Sequence, residues 1–204
     1  MFPSGFLTLL VCASVGVPAQ RVASAGPSVM KFSDGMSGVT FEYPASWIFS
    51  NEQSFYLPPA IVSQASPVRG SVFTKEMHGI PSWPYTNFVG AEFVFTSEQV
   101  NSDDACRALA NADNQNGSQP KPETLHGLTF SHGTSANAGL GHGINEDIYT
   151  INKGNTCWLF DLAVHSSGVP GDRTPRALTS GEKEVIAKQL QSILASVRIK
   201  AFEQ

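Results

Sequence analysis

Asn87-Phe88-Val89-Gly90-Ala91-Glu92-Phe93-Val94-Phe95-Thr96 decides how this chain is read. Val89, Ala91, Phe93 and Phe95 alternate with Phe88, Gly90, Glu92 and Val94. That period of two puts successive side chains on opposite faces of a strand. Both faces are largely apolar, so the strand is expected at the centre of a sheet covered on two sides.

Working outward, three more strands are predicted over residues 124–133, 145–152 and 156–166, the last pair joined by a Lys153-Gly154-Asn155 hairpin. In the third, Trp158, Phe160, Leu162 and Val164 share one face, and Cys157, Leu159, Asp161 and Ala163 the other. Upstream, residues 28–33 and 38–43 read as two strands around an Asp34-Gly35 turn, ended by Pro44, with Trp47 closing the core edge. Prolines break up residues 50–86, leaving a strand near 71–75. Ser102 or Asp103 caps a short helix that carries Cys106, and polar residues 111–123 form a surface loop. Thr179 and Glu182 have capping-box spacing. Beyond them Val185, Ile186, Leu190, Ile193, Leu194 and Val197 fall within half a helical wheel, followed by a short strand at 197–199. The pattern is that of a single α+β domain built on a central antiparallel sheet.

Residues 6–13 are apolar and uncharged, and Ala23-Ser24-Ala25 follows, which is how an export leader reads. Cleavage is expected after Ala19 or Ala25, with a lipid anchor at Cys12 as the rival reading, against which stands the bulky Val11. The apolar run is shorter than the ~20 residues a membrane span needs, and no second segment reads as a span. The chain therefore divides into a leader and short N-terminal segment (1–25) and one domain (26–204), working in the periplasm or outside the cell. The formal charge of −4 gives no basic surface for nucleic acid. Cleavage leaves Cys106 and Cys157, expected to pair in an oxidising compartment.

Catalytic signatures are missing: there is no G-x-S-x-G, no phosphate-cradling G-x-x-x-x-G-K and no H-E-x-x-H. Gly139-Leu140-Gly141-His142-Gly143 lacks the lysine and reads as a loop or hairpin. His126 and His132, if on one extended strand, stand roughly 20 Å apart at 3.3 Å per residue. The remaining metal set is His132, His142 and Glu146 brought together across a turn, suited to zinc or manganese, against the plainer reading of separate surface histidines. Asp161 is an unusual mid-strand carboxylate. Trp83 and Tyr85, in a proline-stiffened loop, form a candidate binding surface or a lid over the core. Asn116-Gly117-Ser118 has the form of a glycosylation sequon.

Gly38-Val39-Thr40-Phe41-Glu42-Tyr43-Pro44-Ala45-Ser46-Trp47 resembles the opening of PsbP-like domains, and residues 190–199 are similar to their closing helix and strand. Thr86-Asn87-Phe88, Cys106, Tyr149 and Cys157-Trp158 resemble a group of uncharacterised exported bacterial proteins of that fold class. The likeness covers most of residues 30–200 through short, mainly structural motifs. It implies an α-β-α sandwich, an antiparallel sheet flanked by helices on both faces, and an assembly or binding role. It brings no catalytic residue, and no motif here carries over a role near manganese. The expected function is an exported non-enzymatic binding or assembly module, without a cofactor, whose partner is a protein or cell-envelope component. The alternative is a small exported hydrolase or metal-dependent enzyme centred on His142 and Glu146. Ligand and oligomeric state are not legible.

Overall fold

The decisive stretch forms β5 (Phe88–Gln99), and it is central as expected. In the computed structural model, which describes residues 28–51, 68–74, 83, 85–111, 119–139, 141–168 and 175–202, β5 pairs antiparallel with β4 (Val68–Phe73) and β9 (Thr156–Ser167). Beyond β4 lies β3 (Ile48–Ser50); beyond β9 lie β8 (His142–Lys153), β7 (Leu128–Gly139) and β6 (Lys121–Leu125). These seven strands make one sheet in the order β3-β4-β5-β9-β8-β7-β6. The outer strand β6 carries Lys121 and Pro122, residues that discourage a further strand from pairing there.

A second, three-stranded sheet joins β1 (Val29–Asp34), β2 (Val39–Pro44) and β10 (Arg198–Ile199). Two helices are described, α1 (Asp103–Leu109) and α2 (Ser180–Ser196). Ile186, Leu190, Ile193 and Leu194 of α2 and Val39, Phe41 and Tyr43 of β2 pack on one face of the large sheet, against Phe93, Phe95, Phe160 and Leu162. Val185, read as part of the helix's apolar face, is instead exposed. The Ser196 hydroxyl accepts from the Glu42 amide at 2.7 Å, and the Trp158 indole donates to the Ser37 carbonyl at 3.2 Å, fixing helix and small sheet in place.

The opposite face has a smaller apolar cluster of Val94, Ile148, Leu159, Cys106 and Ala110. Here α1 is held by the Cys106–Cys157 disulfide, closing a loop of sequence separation 51. A loop of that length confers about 4 kcal/mol in the chain-entropy account. Gly133 admits the helix end: a Cβ there would stand 1.9 Å from the Ala110 carbonyl oxygen.

The expected α+β sandwich with helices on both faces is therefore corrected. The described residues are mostly strand, in two antiparallel sheets, and the helices do not flank the large sheet as two layers. The small sheet shares the covering of one face with α2, while α1 is two turns, burying Cys106, pinned at one end of the other. A second correction concerns residues 124–133, which are not one strand. His126 and Gly127 have φ of +50° and +82°, and turn the chain between β6 and β7. In a type I′ hairpin loop both central residues take positive φ, and His-Gly here fills the place usual for Asn-Gly. No described helix is long and apolar enough to cross a membrane. The expected leader, Cys12 and the Asn116 sequon lie outside the described residues.

Candidate functional site

Strand register lays out a cleft beside α2. On the α2 face, Val164 of β9 stands beside Asn145 of β8, which pairs with Ala136 of β7; the next row is Leu162, Asp147 and Thr134. Helix α2 seats Ile186 and Leu190 into the core, so its neighbouring stripe, Lys183, Ala187 and Gln191, overhangs these rows. The small side chains of Ala136, Ala177 and Ala187 leave the space between unfilled. The resulting cleft has a volume of about 610 Å³. One wall is apolar, with Phe88, Leu162, Val164, Leu178, Ile186 and Leu190; the other presents Thr134, Asn145, Asp147 and Gln191.

The N-terminal end of α2 is tied to the same region. The Asn87 amide donates to the Arg176 carbonyl at 2.8 Å, and the Arg176 amide to the Tyr85 carbonyl at 3.1 Å. The Arg176 guanidinium meets Glu182 at 2.7 Å and helps to hold that carboxyl down at about 2. Glu182 also completes the capping box with Thr179, as the spacing predicts.

The next row closes the far end of the cleft. His132 stacks on Tyr149 with ring centroids 4.2 Å apart and planes 5° from parallel. Its Nε2 lies 2.9 Å from Asp147 and its Nδ1 2.7 Å from Glu123. Both ring nitrogens face carboxylate oxygens, so both donate when the ring is an imidazolium. The hydrogen bond to Asp147 raises its pKa most, and the Asp147 and Glu123 charges add to it against the opposing effect of burial. Burial pushes the Tyr149 hydroxyl up to about 12, keeping it a neutral phenol that accepts from Gln191 Nε2 at 3.1 Å. Glu123, His132, Asp147, Tyr149 and Gln191 thus link β6, β7, β8 and α2.

On the other face of the same strands lies a buried polar cluster. Glu92 on β5 and Glu146 on β8 both pair with Ala163, while Asp161 and His165 stand two residues either side of Ala163 on β9. All four are at most 4 % exposed. Ser71 Oγ donates to Glu92, whose other oxygen lies 3.5 Å from His165 Nε2. Asp161 is fully buried beside them. Its partner is the Glu146 carboxyl, and two carboxyls form a hydrogen bond only when one keeps a proton. Burial first, then Glu146 and Glu92, raise the Asp161 pKa well above the ordinary carboxylate range.

The residues singled out from sequence divide accordingly. His132 and His142 are not brought together: His132 pairs with Tyr149, whereas His142 pairs with Gly139, seven residues further along β7. Glu146 pairs with Ser135 and so projects on the face opposite His132. No group of three or more His, Cys, Asp or Glu among the described residues is arranged to hold a metal ion. Trp83 turns inward, its ring edge-on to Phe88 at 5.2 Å, while Tyr85 is 81 % exposed with φ +64°, so the two aromatics diverge. Glu92, His165, Glu123 and Gln191 were not singled out. Alternation already put Glu92 in phase with Val94, but the pairing of distant strands that assembles the clusters is not written in local pattern.

No protein-family model and no curated protein matches the sequence. Among solved structures, the resemblance to PsbP-like domains recurs: cyanobacterial PsbP from Synechocystis is similar at 13% identity over 94% of this chain and 98% of its own, with a TM-score of 0.40. LpqN, described as involved in cell envelope biogenesis of Mycobacterium tuberculosis, is similar at 12% identity over 85% of this chain and 91% of its own, with a TM-score of 0.47. A Bacteroides thetaiotaomicron protein is similar at 10% identity over 83% of this chain, with a TM-score of 0.48. This chain spans about half of that protein's length, 48%.

Proposed function

We propose that the protein is an exported, non-enzymatic binding module whose ligand site is the cleft between α2 and strands β7, β8 and β9. One observation carries this reading: a space of about 610 Å³ with one apolar and one polar wall, a size and lining suited to a small amphipathic molecule. At the far end of the cleft His132 is engaged between Glu123 and Asp147, an arrangement that ties strands together. Export is supported by the leader pattern and by the Cys106–Cys157 bridge, a bond favoured in oxidising compartments. The occupant is then a component the chain meets in the cell envelope or beyond it.

Native mass spectrometry of the protein recovered from its own host tests this. A small molecule retained at one per chain by the natural protein, and lost from an Ala187→Trp variant that fills the cleft, is the expected result. Ala187 is exposed, so the variant leaves the core intact. Retention undiminished in the variant, or saturable turnover that follows one residue, would overturn the proposal.

A further inference from the structure

We propose that His132 is a proton-operated clip on the outer strand of the large sheet: as an imidazolium it fastens β6 through Glu123, and on giving its proton to water it lets that strand go. Its Nδ1 lies 2.7 Å from Glu123 on β6, and its Nε2 lies 2.9 Å from Asp147 on β8. An imidazolium donates from both nitrogens and so serves both carboxylates at once. A neutral ring has one N–H, and its other nitrogen then turns a lone pair on a carboxylate oxygen. The ring is kept in that plane by its stack on Tyr149, 5° from parallel, and Tyr149 is held in turn by Gln191 of α2. Asp147 retains the remaining N–H, because its hydrogen bond acts on the ring more strongly than Glu123 does. Strand β8 is also fixed between β7 and β9, whereas β6 has β7 as its one neighbour among the described strands. Strand β6 is five residues long, contains Pro122 and has no fully buried residue, so it is the part that gives way.

The other charges around the ring do not stand in for its proton. Lys121 is directly across from His132 in the register, but it is exposed and belongs to β6 itself, so it leaves with that strand. On α2, Glu184 and Lys188, one and two turns before Gln191, pair with each other at 2.7 Å. The neighbours of His132 on the same face of β7, Phe130 and Thr134, are uncharged. The hydrogen bond to Asp147 raises the folded pKa of His132 most; burial opposes it, and both carboxylate charges add to the rise. The fastening is therefore fully present below the ordinary histidine value of about 6.5, and is lost as pH climbs past the raised one. What opens is the sheet's outer edge, the backbone of β7 from Leu128 to His132 that β6 covers by pairing.

Amide hydrogen exchange of the natural protein from pH 5 to pH 8.5, expressed as protection against the intrinsic rate at each pH, tests the clip. Protection of the amides bonded between β6 and β7 should fall about tenfold over that range, as expected for one charge-assisted hydrogen bond, while β5 and β9 keep theirs. In Glu123→Gln the side-chain amide donates to the bare Nδ1, so β6 should stay protected at high pH. His132→Gln does not titrate and should show no dependence on pH at β6. Protection of β6 that is constant in the natural protein, that falls alike in Glu123→Gln, or that falls in step with β5 and β9 would refute the clip. Nitrogen chemical shifts of the His132 ring locate its last proton. A neutral ring protonated at Nε2 is expected; one protonated at Nδ1 would put the break at Asp147 and overturn the release of β6.

Discussion

Single residues on the large sheet show how an alternating sequence can hide its chemistry. Asp161 was conspicuous in mid-strand, yet what makes it unusual is the company of Glu92 and Glu146, which arrives only when β5 and β8 flank β9. Its pKa is raised in the folded state. The stability linked to its protonation is thus fully present below the unfolded value, about 3.9, and is lost as pH rises toward the folded one. Asp161→Asn keeps a donor toward Glu146 but no longer titrates. Urea unfolding from pH 3 to pH 8 should show the variant gaining on the natural protein as pH rises; a constant difference across that range would contradict the assignment. His132 was likewise visible as a titratable group, but its real partners, Glu123 and Asp147, lie on neighbouring strands and not at His142.

Elements were the most legible level. The alternation of residues 87–96 and the Thr179–Glu182 capping box each became the structure they predict, and of the two candidate caps, Ser102 and Asp103, the helix takes Ser102. The miss at residues 124–133 has a local cause: His126 adopts positive φ without being Gly, Asn or Asp, so the turn carried only a lone glycine as its signal. Gly133, read as the end of a strand, proves to be a contact position for α1. Gly133→Ala should force the helix end away from β7, at a cost of about 2 kcal/mol or more, in the range of overpacked sites. Denaturant unfolding measures it, and an unchanged midpoint would show that α1 does not bear on the strand.

For the whole molecule, the sequence supports antiparallel strands and one closing helix, but not their partition. The same alternation serves a strand in either sheet, and nothing local tells that β10 returns to β2. That is why two sheets were expected as one, and helices were assigned a covering that β1, β2 and β10 perform. The joint between them is aromatic: Phe160 is fully buried and meets Phe93, Phe95 and Phe130, while Phe93 meets Phe41 of the small sheet. Phe160→Ala should cost about 3–5 kcal/mol. Loss of both sheets in one transition is expected, and a variant as stable as the natural protein would contradict this account of the core.

One detail of β8 reaches further. Glu146 and Asp147 are neighbours in sequence yet project from opposite faces, and the Asp147 charge already contributes to raising Asp161 on the far side. The sheet is a thin insulator with a charged plate on either side, and charge placed on one plate alters what the other will hold. Removing the Asp147 charge should therefore ease the loss of the proton held among the buried acids behind it, so that a change on one side of the molecule is felt, as bound hydrogen, on the other.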